Sequence, residues 1–370
     1  MRKTFKYRAY ANQQTLDKAN HWLDLCRNLY NVALNQRIVS FKQNRKHVSC
    51  NEQTNELIEL KDAFPEYKDV GSQVLQEVLQ RVDKAFKHFF RDRFGFPRYK
   101  GFNRYDSFTL KYQCGWKLDG KYLHITKVGI FKLKLSRQIQ GTIKTVTMHR
   151  VSSDKWHVLF SCDEVPERKL RKSNKSIGID VGVKSFCVDS NGAITKNPLF
   201  TKQSEAVLRL RHRSLSRRVK FSKRWNKSRL LVSKAYEKTK NQRLDFLHKL
   251  ANGYIKDYGV IYIEKLLVKN LVRNHHLAKS IADSSWSTFF ELLSYKAVEA
   301  DRKLVRVNPC NTSQLCSKCG NMVEKLLVVR IHKCPYCGLI MDRDKNAARN
   351  ILRLGQSLQP STCADTQSVG

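Results

Sequence analysis

Apolar residues recur along this chain at two periods, and the changes between them divide it. Thr4-Phe-Lys-Tyr-Arg-Ala-Tyr10 alternates as a strand does, and Asn12 offers a helix N-cap directly after it. Ala19, Leu23, Cys26, Tyr30 and Ala33 then step by three and four, the stripe of a long helix buried on one face. A second helix is expected over 51–61, and a third over 72–90 repeats the spacing through Leu75, Val78, Val82, Phe86 and Phe89. The glycines and proline of Phe94-Gly-Phe-Pro-Arg-Tyr-Lys-Gly101 end this helical stretch. Residues 118–135 and 142–162 return to alternation around the turns Asp119-Gly120 and Ser153-Asp154. That pattern predicts a small antiparallel β-barrel to which the N-terminal strand is added.

Beyond a basic linker at 167–175, the run 175–189 reads as two strands joined by a tight turn, with Asp180 inside an apolar stretch. Leucines and valines interspersed over 207–249 predict a helical hairpin with one apolar face. Gly259-Val-Ile-Tyr-Ile-Glu264 is a further buried strand ending in an acid. Helices are expected over 285–302 and 345–354. The last residues, 357–370, have no periodicity and are expected to be disordered.

Charge changes the picture. The 70 lysines and arginines face 32 acids, a net +38, while 41% hydrophobic and 10% aromatic residues are those of a folded chain rather than a basic disordered one. Such a charge repels itself in the compact state unless a polyanion offsets it, which points to nucleic acid, with an anionic membrane surface as the competing reading. The hairpin region concentrates it, with 15 basic residues against Glu237 and Asp245; Arg217, Arg218, Lys220, Lys223 and Arg224 are candidate phosphate contacts there. No apolar run approaches the ~18–20 residues of a membrane span, and Met1-Arg-Lys-Thr-Phe-Lys lacks the apolar core of a secretion signal. A reducing, intracellular location is therefore expected.

In that setting the eleven cysteines are not a disulfide framework. Cys316-Ser-Lys-Cys319 and Cys334-Pro-Tyr-Cys337 form two CxxC pairs fourteen residues apart, each followed by glycine (Gly320, Gly338) where a metal knuckle needs a permissive backbone. Two such turns facing one another complete a tetrahedron of thiolates, so one structural Zn²⁺ is expected. With all four positions filled, this metal folds the module and leaves no position open for catalysis. His332 is read as a neighbour, and Cys26, Cys50, Cys114, Cys162, Cys187, Cys310 and Cys363 as ordinary thiols.

Three carboxylates remain. Asp180 and Glu264 lie on apolar strands where an unpaired charge is costly, and Asp342 or Asp344 stands at the start of the last helix. Singly, each also fits a salt-bridge partner or helix cap. Together they suggest a ribonuclease-H-like site, in which two Mg²⁺ ions about 3.5–4 Å apart are held by hard oxygen ligands and hydrolyse a phosphodiester.

These residues resemble a known family. Gly178-Ile-Asp-Val-Gly182, Tyr262-Ile-Glu-Lys-Leu266, Thr312-Ser-Gln-Leu-Cys-Ser-Lys-Cys-Gly320, Cys334-Pro-Tyr-Cys-Gly338 and Asp342-Arg-Asp-Lys-Asn-Ala-Ala-Arg-Asn-Ile351 are similar to the TnpB proteins of insertion sequences, relatives of type V CRISPR nucleases. Cys-Arg-Asn-Leu-Tyr-Asn at 26–31 and Phe96-Pro-Arg-Tyr-Lys100 extend the likeness, so that it covers about residues 1–356. The resemblance implies an α/β multidomain protein. Its parts are a wedge β-barrel (1–10 and 106–170), a helical recognition lobe (11–105), a RuvC-like nuclease domain of the RNase H class (171–310 and 341–356) and an inserted zinc ribbon (311–340). It implies an RNA-guided DNA endonuclease, with a guide RNA from the transposon end and double-stranded target DNA as partners; the expected place is the cytoplasm, at the nucleoid of a prokaryote, and a monomer is favoured with a dimer left open. By motif match the catalytic and Mg²⁺-binding acids fall on Asp180, Glu264 and Asp344, leaving Asp342 as a cap. Ser72, Gln73 and Gln76 fall near where the motif beside the target would be read. A transposase, a silent guided repressor and a plain zinc-ribbon DNA-binding protein are the competing readings. The intact acids disfavour the last two, and the inserted ribbon and wedge-like block disfavour the transposase.

Overall fold

A computed structural model describes residues 1–358, apart from 93, 103, 112, 113, 168, 169, 272, 274, 327 and 328, and the chain divides into two units, Met1–Pro166 and Glu167–Gly370. From residue 359 onward the expected disordered tail, Cys363 included, lies outside the described residues.

In the first unit β1 (Lys3–Tyr10) leads through Asn12, whose side chain accepts the Thr15 amide at 2.9 Å, into α1 (Gln13–Asn44). Ala19, Leu23, Cys26, Tyr30 and Ala33 are all buried along it. The single helix expected over 51–61 is two, α2 (Cys50–Asn55) and α3 (Leu57–Ala63). A Ser49/Glu52 capping box starts the first, and asparagine, a poor helix former, ends it. A 3₁₀ turn (Pro65–Asp69) precedes α4 (Ser72–Asp92).

The strands β2 (Ser107–Lys111), β3 (Trp116–Asp119), β4 (Tyr122–Ile125), β5 (Gly129–Lys134), β6 (Thr142–Arg150) and β7 (Trp156–Asp163) follow. They join β1 in one antiparallel, nearly closed barrel-like sheet of order β2-β6-β7-β1-β5-β4-β3, so the N-terminal strand sits inside the sheet as expected. Alternation decides the inner face: Trp156, Val158, Phe160 and Cys162 of β7 are buried. Strand β2, which sequence reading did not single out, carries the helices. Trp22 of α1 meets Phe108 edge-on at 5.3 Å, and Arg81 of α4 donates to Ser107 O at 2.8 Å and Thr109 Oγ1 at 3.0 Å.

The second unit begins with β8 (Ser176–Val181), β9 (Ser185–Asp189) and β10 (Ile194–Lys196), then the hairpin of α5 (Phe200–Ser216) and α6 (Lys223–Asp257). Next come β11 (Val260–Glu264), α7 (Val268–Leu271), α8 (His275–Ser284), α9 (Trp286–Glu299), β12 (Lys303–Val307), the short pair β13 (Ile331–Lys333) and β14 (Ile340–Asp342), and α10 (Arg343–Ser357). Helix α9 stops three residues short of the expected 302, because Asp301 takes a left-handed φ of +52° that turns the chain into β12. The central sheet has the order β10-β9-β8-β11-β12; β8, β9 and β10 are antiparallel neighbours, and β11 runs parallel to both β8 and β12.

The period of two sorts the residues of this sheet between its faces. Ile177, Ile179, Ile261 and Ile263 enter a core with Phe289, Leu293 and Leu247 from α9 and α6. Gly178 and Tyr262 point the other way, toward α10, and with them Asp180 and Glu264. No helix among the described residues is long and apolar enough to cross a membrane.

Candidate active site and metal centre

Two close approaches seat α10 on the sheet. A Cβ on Gly178 would lie 2.2 Å from Ala348 O, and one on Gly355 would lie 1.9 Å from the Tyr262 ring. Only glycine lets the helix backbone rest directly on β8 and the tyrosine ring press into the helix. Asp180 lies two residues beyond Gly178 on the same strand face, and Asp344 lies one helical turn before Ala348. The packing that needs Gly178 therefore also brings these two acids near one another. Glu264 joins them because β11 pairs in parallel with β8, Ile263 opposite Ile179, so both acids are the next residue along, at the carboxyl ends of adjacent strands.

The electrostatics record this convergence. Burial, then the Glu264 and Asp344 carboxylates, push the Asp180 carboxyl well above the usual range, against the pull of Arg343. Burial likewise raises Glu264, opposed by the Thr312 hydroxyl, which donates to Glu264 Oε1 at 2.6 Å. Asp344 is held by cations, with Oδ1 3.1 Å from Arg343 Nη2 and Oδ2 3.5 Å from Arg330 Nη1. Asp342 caps α10, accepting the Asp344 and Lys345 amides at 2.9 and 3.1 Å. Three hard oxygen donors, two of them disfavoured as ions in the bare protein, form a donor set suited to divalent cations of the Mg²⁺ type.

The cysteine quartet is the one group of potential ligands among the described residues whose atoms all lie within 4.8 Å of one another. Cys316 Sγ is 3.6 Å from Cys337 Sγ, and Cys319 Sγ 3.6 Å from Cys334 Sγ. Each CxxC turn closes on the expected glycine: Gly320 (φ +81°) donates to Cys316 O, and Gly338 (φ +71°) to Cys334 O. Burial opposes ionisation of Cys316, but the Cys319 and Lys318 amides, the His332 ring and the Cys337 thiol hold it below the ordinary thiol range. Cys337 is raised in turn, so the proton rests on one sulfur of the pair and leaves the other as the thiolate that binds metal. His332 is fully buried beside the quartet and contacts Lys325. The quartet can thus hold a metal ion.

Two residues that sequence reading missed join metal module and acids. Buried Asn346 donates to Leu315 O at 2.7 Å and accepts the Ser317 amide at 2.9 Å; buried Asn350 donates to Thr312 O at 2.8 Å and Leu315 O at 2.6 Å. Residues 312–317 are thereby pinned to α10, with Thr312 on Glu264 at one end and Cys316 at the other. The spacing of Asn346 and Asn350, four apart on one helix face, was the available signal.

Arg217, Arg218, Lys220, Lys223 and Arg224 are exposed at the tip of the α5–α6 hairpin, which Arg243 of α6 ties to Asp283 of α8 at 2.7 Å. Ser72, Gln73 and Gln76 lie at the start of α4 in the first unit, where Ser72 accepts from Lys61.

Family models match three segments: "Helix-turn-helix domain" at 1–46, "Probable transposase" at 159–275 and "Cas12f1-like, TNB domain" at 286–351. The first description does not fit this chain, where those residues form β1 and the single unbroken helix α1. In the solved complex of Cas12f1 with sgRNA and target DNA, the protein chain has a similar fold, with a TM-score of 0.51, 16% identity, and 95% of this chain and 98% of that one covered. A protein of Streptomyces pristinaespiralis named "Putative RNA-guided DNA endonuclease" is 30% identical over 99% of this chain and 92% of its own length. Another from Escherichia coli strain K12, "Putative RNA-guided DNA endonuclease InsQ", is 30% identical over 96% of this chain and 92% of its own. A "TnpB-like protein" of Acanthamoeba polyphaga mimivirus is 28% identical over 60% of this chain and 46% of its own. At the 30% identity of the other two over nearly the whole length, the chain belongs to the TnpB family.

Proposed function

We propose that this protein is an RNA-guided DNA endonuclease whose cut is made at Asp180, Glu264 and Asp344. The observation that carries the reading is the convergence of these three carboxylates from two parallel strand ends and a helix N-terminus, near enough that Glu264 and Asp344 add to burial in raising the Asp180 carboxyl. A fold keeps such an arrangement when cations use it. Two Mg²⁺ ions bound there would supply an activated water and neutralise the leaving 3′ oxygen. The chain's own residues set the conditions. Thr312 orients Glu264, Asp342 fixes the first turn of α10, and the Arg330 and Arg343 guanidiniums compete with a metal for Asp344.

On this reading residues 171–310 and 341–356 are the RuvC-like domain, and the sheet order β10-β9-β8-β11-β12 supports an RNase H-like topology. Residues 311–340 are a ribbon around one structural Zn²⁺, supported by the four convergent sulfurs. Segments 1–10 and 106–170 form the wedge that grips the guide RNA, and 11–105 form the lobe that follows the guide–target duplex. Ser72, Gln73 and Gln76 read the motif beside the target, while the exposed hairpin cations track phosphates. The protein acts as a monomer on a guide transcribed from its own transposon end, in the cytoplasm at the nucleoid.

The test is to purify the protein from cells that carry its flanking DNA, sequence the RNA it retains, and offer a duplex matching that RNA beside a randomised flank. Guide-dependent, Mg²⁺-dependent cutting next to one flank sequence is expected. RNA-independent joining of DNA ends would make the protein a transposase instead.

A further inference from the structure

We propose that the first unit carries a separate pocket for one unstacked nucleobase of a single strand. The ends of α1 and α4 enclose a cavity of about 450 Å³, within the size range of small-molecule sites. Its walls are five phenylalanine rings, Phe41, Phe86, Phe89, Phe90 and Phe96. The rings brace one another: Phe89 meets Phe90 edge-on at 5.0 Å and Phe96 at 5.3 Å, and Phe86 meets Phe96 at 5.7 Å. Phe41, Phe90 and Phe96 are nonetheless 52%, 69% and 48% exposed. An apolar patch left open at that cost marks an interaction site.

Charge selects the occupant. Lys42, Arg45 and His47 rim the cavity, and no carboxylate among the described residues lines it. The Arg45 guanidinium already lies 5.6 Å over the Phe41 ring. Arg37 in the wall is held by Gln53 and Asp83 with its guanidinium 5.6 Å from the Phe86 ring, a fixed positive charge behind the rings. Aromatic faces for a base and cations for the flanking phosphates are together the features by which single strands are bound. An apolar protein helix would use the rings but not the rim.

The test uses the full-length protein with short single-stranded RNA and, in a second arm, DNA, each carrying 5-iodouridine. After irradiation at raised salt, where phosphate contacts are weakened, adducts are mapped by mass spectrometry. Adducts on Phe41, Phe90 or Phe96 are expected, and the more efficient arm identifies the strand. Phe90→Ala and Phe90→Leu should both weaken binding, by about tenfold, the scale of removing one base stack. Asp180→Asn should retain the adducts, so this site and the nuclease reading fail separately. Adducts that all fall elsewhere, or full binding by Phe90→Leu, would overturn the proposal. So would dimerisation of the wild type that Phe90→Ala abolishes without any pocket adduct, which would give the surface to a second copy.

Discussion

Asp180 shows what a buried carboxylate costs a fold. Its carboxyl and that of Glu264 are raised in the folded chain, which therefore binds more protons than the unfolded chain between the ordinary carboxylate range and the raised values. Stability without added Mg²⁺ must then fall as pH rises through that window. Asp180→Asn keeps the shape and removes the charge. At neutral pH without added Mg²⁺ it should raise the melting temperature, by roughly 2–4 °C if about 1 kcal/mol is relieved, and flatten the decline with pH. Added Mg²⁺ should raise the melting temperature of the wild type more than that of the variant. Calorimetry over a pH series checks both, and a variant less stable than the wild type throughout would mean that the carboxylate is held for structure.

At the scale of elements, the site depends on α10 lying flat on β8. Gly178→Ala would put a methyl against the Ala348 carbonyl and the Leu352 amide, backbone groups that cannot rotate aside. The helix must lift, and the expected loss is about 2–3 kcal/mol. Gly253→Ala, in the C-terminal half of α6 with nothing within 4 Å of its Cβ, should instead stabilise by about 0.5–1 kcal/mol. Urea denaturation of the two variants separates the close-packing account from a general intolerance of alanine. Periodicity made α1, α4, β8, β11 and the hairpin legible, because each buries one face or both in a regular way. The metal knuckles were legible because a CxxC turn is local. The break between α2 and α3 was not, since a single asparagine among helix formers marks it only weakly, nor was β2, which is short and packs against α1 and α4. Thr312, Asn346 and Asn350 escaped for a related reason: the spacing of the two asparagines marks a shared helix face, but their hydrogen bonds join segments far apart in sequence, and no local pattern names the partner.

Over the whole molecule the excess of 38 positive charges is the dominant electrostatic fact, and the hairpin tip is an exposed concentration of it. Replacing Arg217, Arg218, Lys220, Lys223 and Arg224 by glutamine should weaken single-stranded RNA binding. The salt dependence of log K should become shallower by about 0.7 for each phosphate that is no longer neutralised. An unchanged slope in a fluorescence titration would make that face merely solvated. The proposed function separates recognition from cutting: on that reading backbone and guide contacts would give binding, and the three acids hydrolysis. The most direct measurement is therefore to load wild type, Asp180→Asn, Glu264→Gln and Asp344→Asn with the same guide RNA, and to follow target binding and Mg²⁺-dependent cutting side by side. Target affinity within about twofold of wild type is predicted for all three variants, with cutting reduced by at least about a thousandfold. Cutting that survives any one of the three substitutions would contradict the assignment.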